Sequence, residues 1–177
     1  CRKQLNLPLD KKIVLYSGHL YDWKGADILL NAAKFLHEHL VVFVGGTSDD
    51  ILRFKNRILK VGIQNALVVG QRPVCEIPTY LGAADVLVLP NSAKQTISAY
   101  YTSPLKLFEY MASQRPIVAS GLPSLREILD EQSAVFFEPD NPQSLAQSIK
   151  FVFDNPAVAT QKAEYAYLKV QNYTWEK

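Results

Sequence analysis

The sequence predicts an α/β domain in which a doubly wound parallel sheet of about six strands is covered by helices on both faces. Short apolar runs alternate with segments of helical periodicity along the chain. These runs are apolar at nearly every position, as expected of parallel strands buried on both faces. Because crossovers between parallel strands are right-handed, the predicted domain is Rossmann-like, with ligands at the carboxyl ends of the strands.

The amino-terminal part of the chain is expected to supply three strands and two helices. The apolar runs 13–18, 40–46 and 66–70 are the expected strands. The first helix, over 25–36, has an inner apolar stripe formed by Ala26, Leu29, Leu30, Ala33 and Leu36. The second, over 49–61, ends at Gly62, and its inward residues are expected to be Ile51, Leu52, Ile58 and Leu59.

The middle of the chain continues the alternation. A short helix over 76–84 precedes a fourth strand over 85–90, and a polar loop follows to residue 102. Ser103-Pro104 starts the next helix, since a serine can cap a helix and a proline fits its first position.

The last elements are two strands and three helices. The fifth and sixth strands are expected over 116–120 and 134–138. Between them, Ser124-x-x-Glu127 matches a capping box and predicts a short helix. Asn141-Pro142 opens a helix that ends near Asn155, and Pro156 separates it from a last helix over roughly 157–170.

Bulk properties exclude several classes of protein. A net charge of +2 argues against a dedicated nucleic-acid binder. No apolar run approaches the ~18 residues of a transmembrane helix. Cys1 and Cys75 give neither a disulfide framework nor a metal spacing, which favours a reducing, cytoplasmic setting. A Gly-x-Gly-x-x-Gly fingerprint is missing after the first strand, which argues against an NAD or FAD enzyme.

The stretch from Ser103 to Ala112 carries the clearest chemical signal. The first backbone N–H groups of this helix point out of its start, at the positive end of the dipole, and suit an anion such as phosphate. Lys106 adds a positive charge. Glu109 lies on the same face as Leu105, and its carboxylate leans back toward the phosphates, where it could accept hydrogen bonds from sugar hydroxyls. The pattern predicts a nucleotide or nucleotide-sugar ligand; the alternative is a capped helix with a solvated Lys–Glu pair.

Two other loops at strand ends hold candidate ligand contacts. After the first strand, Gly18 lets the backbone approach a ligand, Lys24 could reach a diphosphate and His19 is a second candidate donor. After the third strand, the loop with Arg72 and Val74 could hold a base through backbone hydrogen bonds and apolar contact. Each loop could equally be an ordinary surface connection.

Several short motifs occur together in the order and spacing of a known family. They are Gly18-His19-Leu20-x-x-x-Lys24-Gly25, Val69-Gly70, Ala84-Asp85-Val86 followed by Pro90, Lys106-Leu107-Phe108-Glu109-Tyr110-Met111-Ala112, and Pro116-Ile117-Val118-Ala119-Ser120. Together they resemble the C-terminal, donor-binding half of a glycosyltransferase family 4 enzyme, which is one half of a GT-B fold. The resemblance runs from Arg2 to Trp175.

The resemblance implies roles for individual residues. The donor phosphates would be bound by Lys24, Lys106, Ser103, Leu105, Gly18 and His19. Glu109 would hold the ribose hydroxyls, and Arg72 and Val74 would line the base site. The chain departs from the family twice: an arginine is replaced by His19, and the glutamate that contacts the transferred sugar is replaced by Tyr101. The identity and positioning of the sugar therefore stay open.

The resemblance also implies an activity. It is the transfer of a sugar from a nucleoside-diphosphate sugar, with retention of configuration and without a metal ion, by an enzyme of the hexosyltransferase class. The resemblance implies no protein nucleophile, no catalytic base in this chain and no cofactor. Residues 1–177 would form one nucleotide-sugar-binding domain, inactive alone, and an N-terminal domain outside this chain would bind an acceptor glycan or lipid-linked sugar. The expected location is the cytoplasm, or the membrane periphery through that second domain.

Two alternatives to a transferase stay open. The two departures would suit a non-catalytic nucleotide-sugar-binding or partner module. A sugar-nucleotide epimerase of the same fold is the other.

Overall fold

The computed structural model describes residues 1–96, 99 and 105–173 and contains the expected doubly wound sheet. Its six strands are β1 (Ile13–Ser17), β2 (Leu40–Val44), β3 (Ala66–Gly70), β4 (Val86–Leu89), β5 (Ile117–Ser120) and β6 (Val135–Phe137). All pairings are parallel, in the order β3-β2-β1-β4-β5-β6. The direction of strand addition reverses between β1 and β4, where such sheets bind their ligands.

Helices connect the strands along the described part of the chain. They are α1 (Ala26–Ala32), α2 (Ser48–Val61), α3 (Ile77–Ala83), α4 (Leu105–Ala112), α5 (Pro123–Arg126), α6 (Pro142–Asp154) and α7 (Pro156–Val170). Short 3-10 turns cover Asp22–Lys24, Ala33–Phe35 and Val74–Glu76. Within these described residues, no helix combines the length and the apolar character that a membrane crossing requires.

Both faces of the sheet are buried under helices. Along β1, Ile13 and Leu15 join one apolar cluster, and Val14 and Tyr16 join the other. The first cluster includes residues of α3, α4 and α7, and the second includes residues of α1, α2 and α6. Alternate residues of one strand thus stabilise opposite layers, which explains why the strand sequences are apolar throughout.

The inward face of α2 differs from the expectation. Leu52 and Leu59 are 62% and 78% exposed, whereas Phe54 and Ile58 are buried and Ile51 is partly buried. Each exposed leucine lies one position from an inward residue, and one position rotates a side chain by about 100° around a helix. The inner stripe is therefore narrower than the apolar content of α2 indicates.

The expected capping box at Ser124 is wrong, whereas the expected helix start at Asn141-Pro142 is confirmed. Leu122 is the N-cap of α5, and Pro123 occupies the first turn, where its fixed φ suits a helix start. Ser124 lies inside the helix and is buried. At α6, the side chain of Asn141 accepts hydrogen bonds from the backbone N–H groups of Gln143 and Ser144. In both helices, a proline in the first turn sets where the helix begins.

Candidate functional site

A buried tyrosine joins the start of the functional helix to the central strand. The Tyr110 hydroxyl oxygen on α4 accepts a 2.8 Å hydrogen bond from the backbone N–H of Ser17, at the carboxyl end of β1. Burial raises the pKa of Tyr110 to about 12, although the bonds from Ser17 act in the opposite direction. The phenol therefore stays neutral and holds α4 against the strand end.

This docking brings Lys106 next to the first strand and its loop. Its Nζ lies 4.1 Å from the centroid of the Tyr16 ring. A Cβ added to Gly18 would lie 3.5 Å from the same nitrogen, so the glycine leaves space beside it. Lys106 as a residue keeps some exposure, but its Nζ is buried and has no hydrogen-bond acceptor among the described residues. A lysine in such a position can bind a phosphate or another anion that supplies the acceptors.

The charges around Lys106 leave an excess of positive charge. Burial lowers the pKa of Lys106 well below its usual range, the neighbouring charge of Lys24 lowers it further, and Glu109 acts in the opposite direction. Lys24 is half-buried, with its Nζ 3.9 Å from the centroid of the Trp23 ring, and burial lowers its pKa as well. Two partly desolvated cations at the carboxyl end of β1 suit a ligand with more than one negative charge.

Glu109 and Leu105 lie on the outer side of α4. Glu109 is exposed, and Leu105, one turn earlier, is 70% exposed. The negative charge of Glu109 acts against burial and raises the pKa of Lys106, although burial has the larger effect.

The backbone of His19 contacts Tyr16 of the site, whereas its ring contacts Tyr21. Its carbonyl oxygen accepts a 2.6 Å hydrogen bond from the Tyr16 hydroxyl. Its exposed ring stacks on Tyr21, with centroids 4.9 Å apart and planes 2° apart. The side chain can still donate to a ligand, but its described contact is with Tyr21.

The proposed base loop follows β3, and Arg72 and Val74 are both exposed. Val74 is 82% exposed. Arg72 lines a cavity of about 370 Å³ with the amino-terminal segment and α3. β2 separates β3 from β1 in the sheet. The structure thus brings Gly18, Lys24 and Lys106 together and leaves Arg72 and Val74 to one side.

Some candidates lie outside the described residues. Ser103, for which the sequence predicts a helix cap, and Tyr101 are two such residues. Their roles stay predictions.

The structure also reveals buried polar groups that the sequence reasoning did not single out. Asn91 follows β4 and is fully buried, and neither atom of its carboxamide has a hydrogen-bond partner in the described part of the chain. The hydroxyl of Ser120, at the end of β5, is in the same state. Their positions in the sequence indicate a possible ligand contact, because each residue ends or follows a strand at the edge of the sheet where ligands bind. The sequence predicts only a strand position for Tyr16 and a helix position for Tyr110. In the structure the Tyr16 ring contacts Lys106, and the Tyr110 hydroxyl positions the helix that carries Lys106.

Comparison with known proteins gives a family match over most of the chain. The family described as glycosyl transferases group 1 matches residues 1–169. A relative of known sequence, the D-inositol 3-phosphate glycosyltransferase 1 of Catenulispora acidiphila, is 28% identical over 192 aligned residues. That alignment covers 99% of this chain and 44% of the relative, so the chain spans less than half of the relative's length.

Solved structures share the fold. The sucrose-phosphate synthase of Thermosynechococcus elongatus superposes with a TM-score of 0.86 at 28% identity, over 99% of this chain and 44% of the synthase. Anabaena Alr3699/HepE, solved in complex with UDP and glucose, superposes with a TM-score of 0.82 at 21% identity, over 97% of this chain and 46% of that protein. The six-stranded parallel arrangement is therefore that of GT-B glycosyltransferases.

Proposed function

We propose, because this chain belongs to the glycosyl transferases group 1 family, that it is the donor-binding domain of a retaining glycosyltransferase. The donor is a nucleoside-diphosphate sugar, and the transferred group is a hexose. The observation that carries the proposal is the buried Nζ of Lys106, which has no acceptor among the described residues and lies beside Gly18 at the end of β1.

The two lysines would bind the diphosphate of the donor. In the complex, the ammonium groups of Lys106 and Lys24 would donate to phosphate oxygens from partly desolvated positions, where such interactions are stronger than in water. As the bond to the sugar breaks, negative charge grows on the leaving diphosphate. Fixed cations and the N–H groups at the start of α4 would stabilise that charge, and the proposed transfer needs no metal ion.

The nucleoside would extend from the lysines along the sheet edge. Glu109 would accept hydrogen bonds from the ribose hydroxyls. At about 4.8 Å per strand, the end of β3 lies about 10 Å from the end of β1, a distance that a nucleotide can span. Arg72 and Val74 would then line the base. Anabaena HepE, which shares this fold, has been solved in complex with UDP and glucose, and this supports a nucleotide-sugar ligand for the domain.

A non-catalytic nucleotide-sugar-binding module is the second candidate. His19 and Tyr101 stand where the resemblance implies an arginine and a glutamate. Such a module would bind the nucleotide sugar without transferring the sugar. Turnover by the protein joined to its proposed N-terminal domain separates the two candidates, whereas this domain alone is expected to transfer nothing.

Calorimetric titration with UDP, GDP and ADP tests the nucleotide site. Lys24→Met and Lys106→Met should each weaken binding of the preferred nucleotide by roughly 1–3 kcal/mol. Lys150→Met, on the exposed face of α6, is the matched control and should bind normally. If none of the three nucleotides binds at millimolar concentration, even with the N-terminal domain present, the proposed function is wrong.

A further inference from the structure

We propose that the nucleoside diphosphate binds together with one proton, which Lys106 takes up from solvent as the phosphates reach its Nζ. The inference rests on the proposed function, because it requires a diphosphate at this site. It adds a property that phosphate binding by itself does not imply, since a lysine that is already charged binds an anion without any proton.

The surroundings of the nitrogen provide the structural basis. Nζ faces the Tyr16 ring at 4.1 Å from its centroid and lies in the space that Gly18 leaves open. The Tyr16 hydroxyl donates its proton to the His19 carbonyl. No oxygen within residues 1–96, 99 and 105–173 accepts a hydrogen bond from Nζ. The ring face attracts a cation, but it does not replace the lost water or supply a negative charge.

Among the residues that the structure describes, the charged and titratable groups around Nζ come from three elements. β1 contributes the neutral phenol of Tyr16, the turn after β1 contributes Lys24, and α4 itself contributes Glu109. Glu109 is exposed, so solvent weakens its attraction for the ammonium. Burial and the repulsion from Lys24 prevail, and the pKa of Lys106 lies well below its usual range.

A bound diphosphate reverses this balance. Its oxygens supply acceptors, which no residue in the described part of the chain provides, and its charge outweighs the repulsion from Lys24, so the pKa of Lys106 rises on binding. The neutral amine gains one proton from solvent and becomes an ammonium that donates to a phosphate oxygen. The N–H bond forms as a buffer acid or a hydronium ion loses the proton, and no other covalent bond forms or breaks. Between the two pKa values, affinity should fall by up to about tenfold per pH unit as the pH rises.

Calorimetry in buffers of different ionisation enthalpy counts the protons. We expect binding of the preferred nucleotide among UDP, GDP and ADP to take up protons at alkaline pH, where the nucleotide phosphates are themselves deprotonated and the lowered pKa of Lys106 leaves its amine neutral in the free protein. We expect Lys106→Arg to take up none, because arginine stays charged in proteins. Lys24→Arg is the matched control for the neighbouring lysine, and it should keep the uptake.

A second measurement does not depend on any variant binding the ligand. In protein labelled with ¹³C at the lysine Cε atoms, the signal that Lys106→Met removes reports the protonation of Lys106. That signal should shift toward the ammonium position when the nucleotide is added. A nucleotide that binds with no proton uptake and no such shift overturns this inference and leaves the proposed function intact. Uptake that persists in Lys106→Arg but disappears in Lys24→Arg assigns the proton to Lys24 and also overturns it. Failure of all three nucleotides to bind overturns the proposed function instead.

Discussion

The Tyr110 hydroxyl oxygen accepts its hydrogen bond from the backbone N–H of Ser17 across 93 residues of sequence. Both residues are buried, with 0% and 4% of their surfaces exposed. The bond fixes the position of α4 against the end of β1, and Lys106 lies one turn earlier on the same helix. The position of the Lys106 amine therefore depends on a tyrosine one turn further along α4, whose hydroxyl binds the end of the central strand.

Tyr110→Phe should lower the free energy of unfolding by about 1–3 kcal/mol, because it leaves the Ser17 N–H buried without its acceptor. It should also weaken nucleotide binding, since α4 loses its fixed position. Urea denaturation and calorimetric titration measure the two effects. Tyr165→Phe, at a 37% exposed position of α7, is the control and should change neither quantity appreciably. A variant as stable as the parent would show that the bond does not hold α4.

Lys106→Met should stabilise the ligand-free protein and weaken nucleotide binding. Methionine has a similar shape and carries no charge that must lose its hydration. We expect the free energy of unfolding to rise by roughly 1–3 kcal/mol, measured by urea denaturation near pH 7. Lys150→Met, whose side chain is exposed, should have little effect. Destabilisation by Lys106→Met would mean that the ammonium has a favourable partner in the folded state.

The stabilisation by Lys106→Met should depend on pH. Burial lowers the pKa of Lys106 in the folded protein, so the unfolded chain binds more protons between that pKa and the ordinary lysine value of about 10.4. The parent protein therefore becomes more stable as the pH rises through this window, while the variant lacks the contribution. The difference in unfolding free energy should be largest at low pH and shrink at high pH. A difference that is constant across the window would contradict the lowered pKa.

Glu109→Gln tests the ribose contact separately from the phosphates. If the carboxylate accepts bonds from the ribose hydroxyls, affinity for the nucleoside diphosphate should fall by roughly 1–3 kcal/mol, because the amide is a weaker acceptor. Affinity for pyrophosphate, which has no ribose, should not fall. Glu164→Gln, on the exposed face of α7, provides the control. An equal loss for both ligands would exclude the ribose role.

Gly45→Ala should disturb the site through the backbone of Gly18. Gly45 has a φ of 116°, and an added Cβ would lie 2.4 Å from the carbonyl oxygen of Gly18. Gly62 has a φ of 72° but no atom within 4 Å of an added Cβ. Gly62→Ala therefore measures the cost of a positive φ alone, which we expect to be about 1 kcal/mol of unfolding free energy. Gly45→Ala adds the collision with Gly18 and should lower the free energy of unfolding by at least about 2 kcal/mol more. If the two variants lose the same stability in thermal denaturation, the loop after β1 moves aside without cost and the collision with Gly18 does not matter.

The sequence by itself determined the layered fold and part of the site. Parallel strands buried on two faces require uninterrupted apolar runs, and a run such as that of β1 is visible without any knowledge of its partners. Gly18, Lys24 and Lys106 could be selected because their positions relative to strand and helix ends follow from local sequence. These properties depend on residues close together in the chain, and local patterns specify them.

Only the tertiary structure decided which groups surround the ammonium. The sequence indicated neither the Tyr16 ring under Lys106 nor the bond from Ser17 to Tyr110, since each joins segments far apart in the chain. The exposure of Leu59 on an amphipathic helix was likewise set by how α2 packs on the sheet. Burial and pairing depend on the packing of the whole domain, and Nζ of Lys106 becomes buried away from every acceptor of the described residues only when α4 docks against β1.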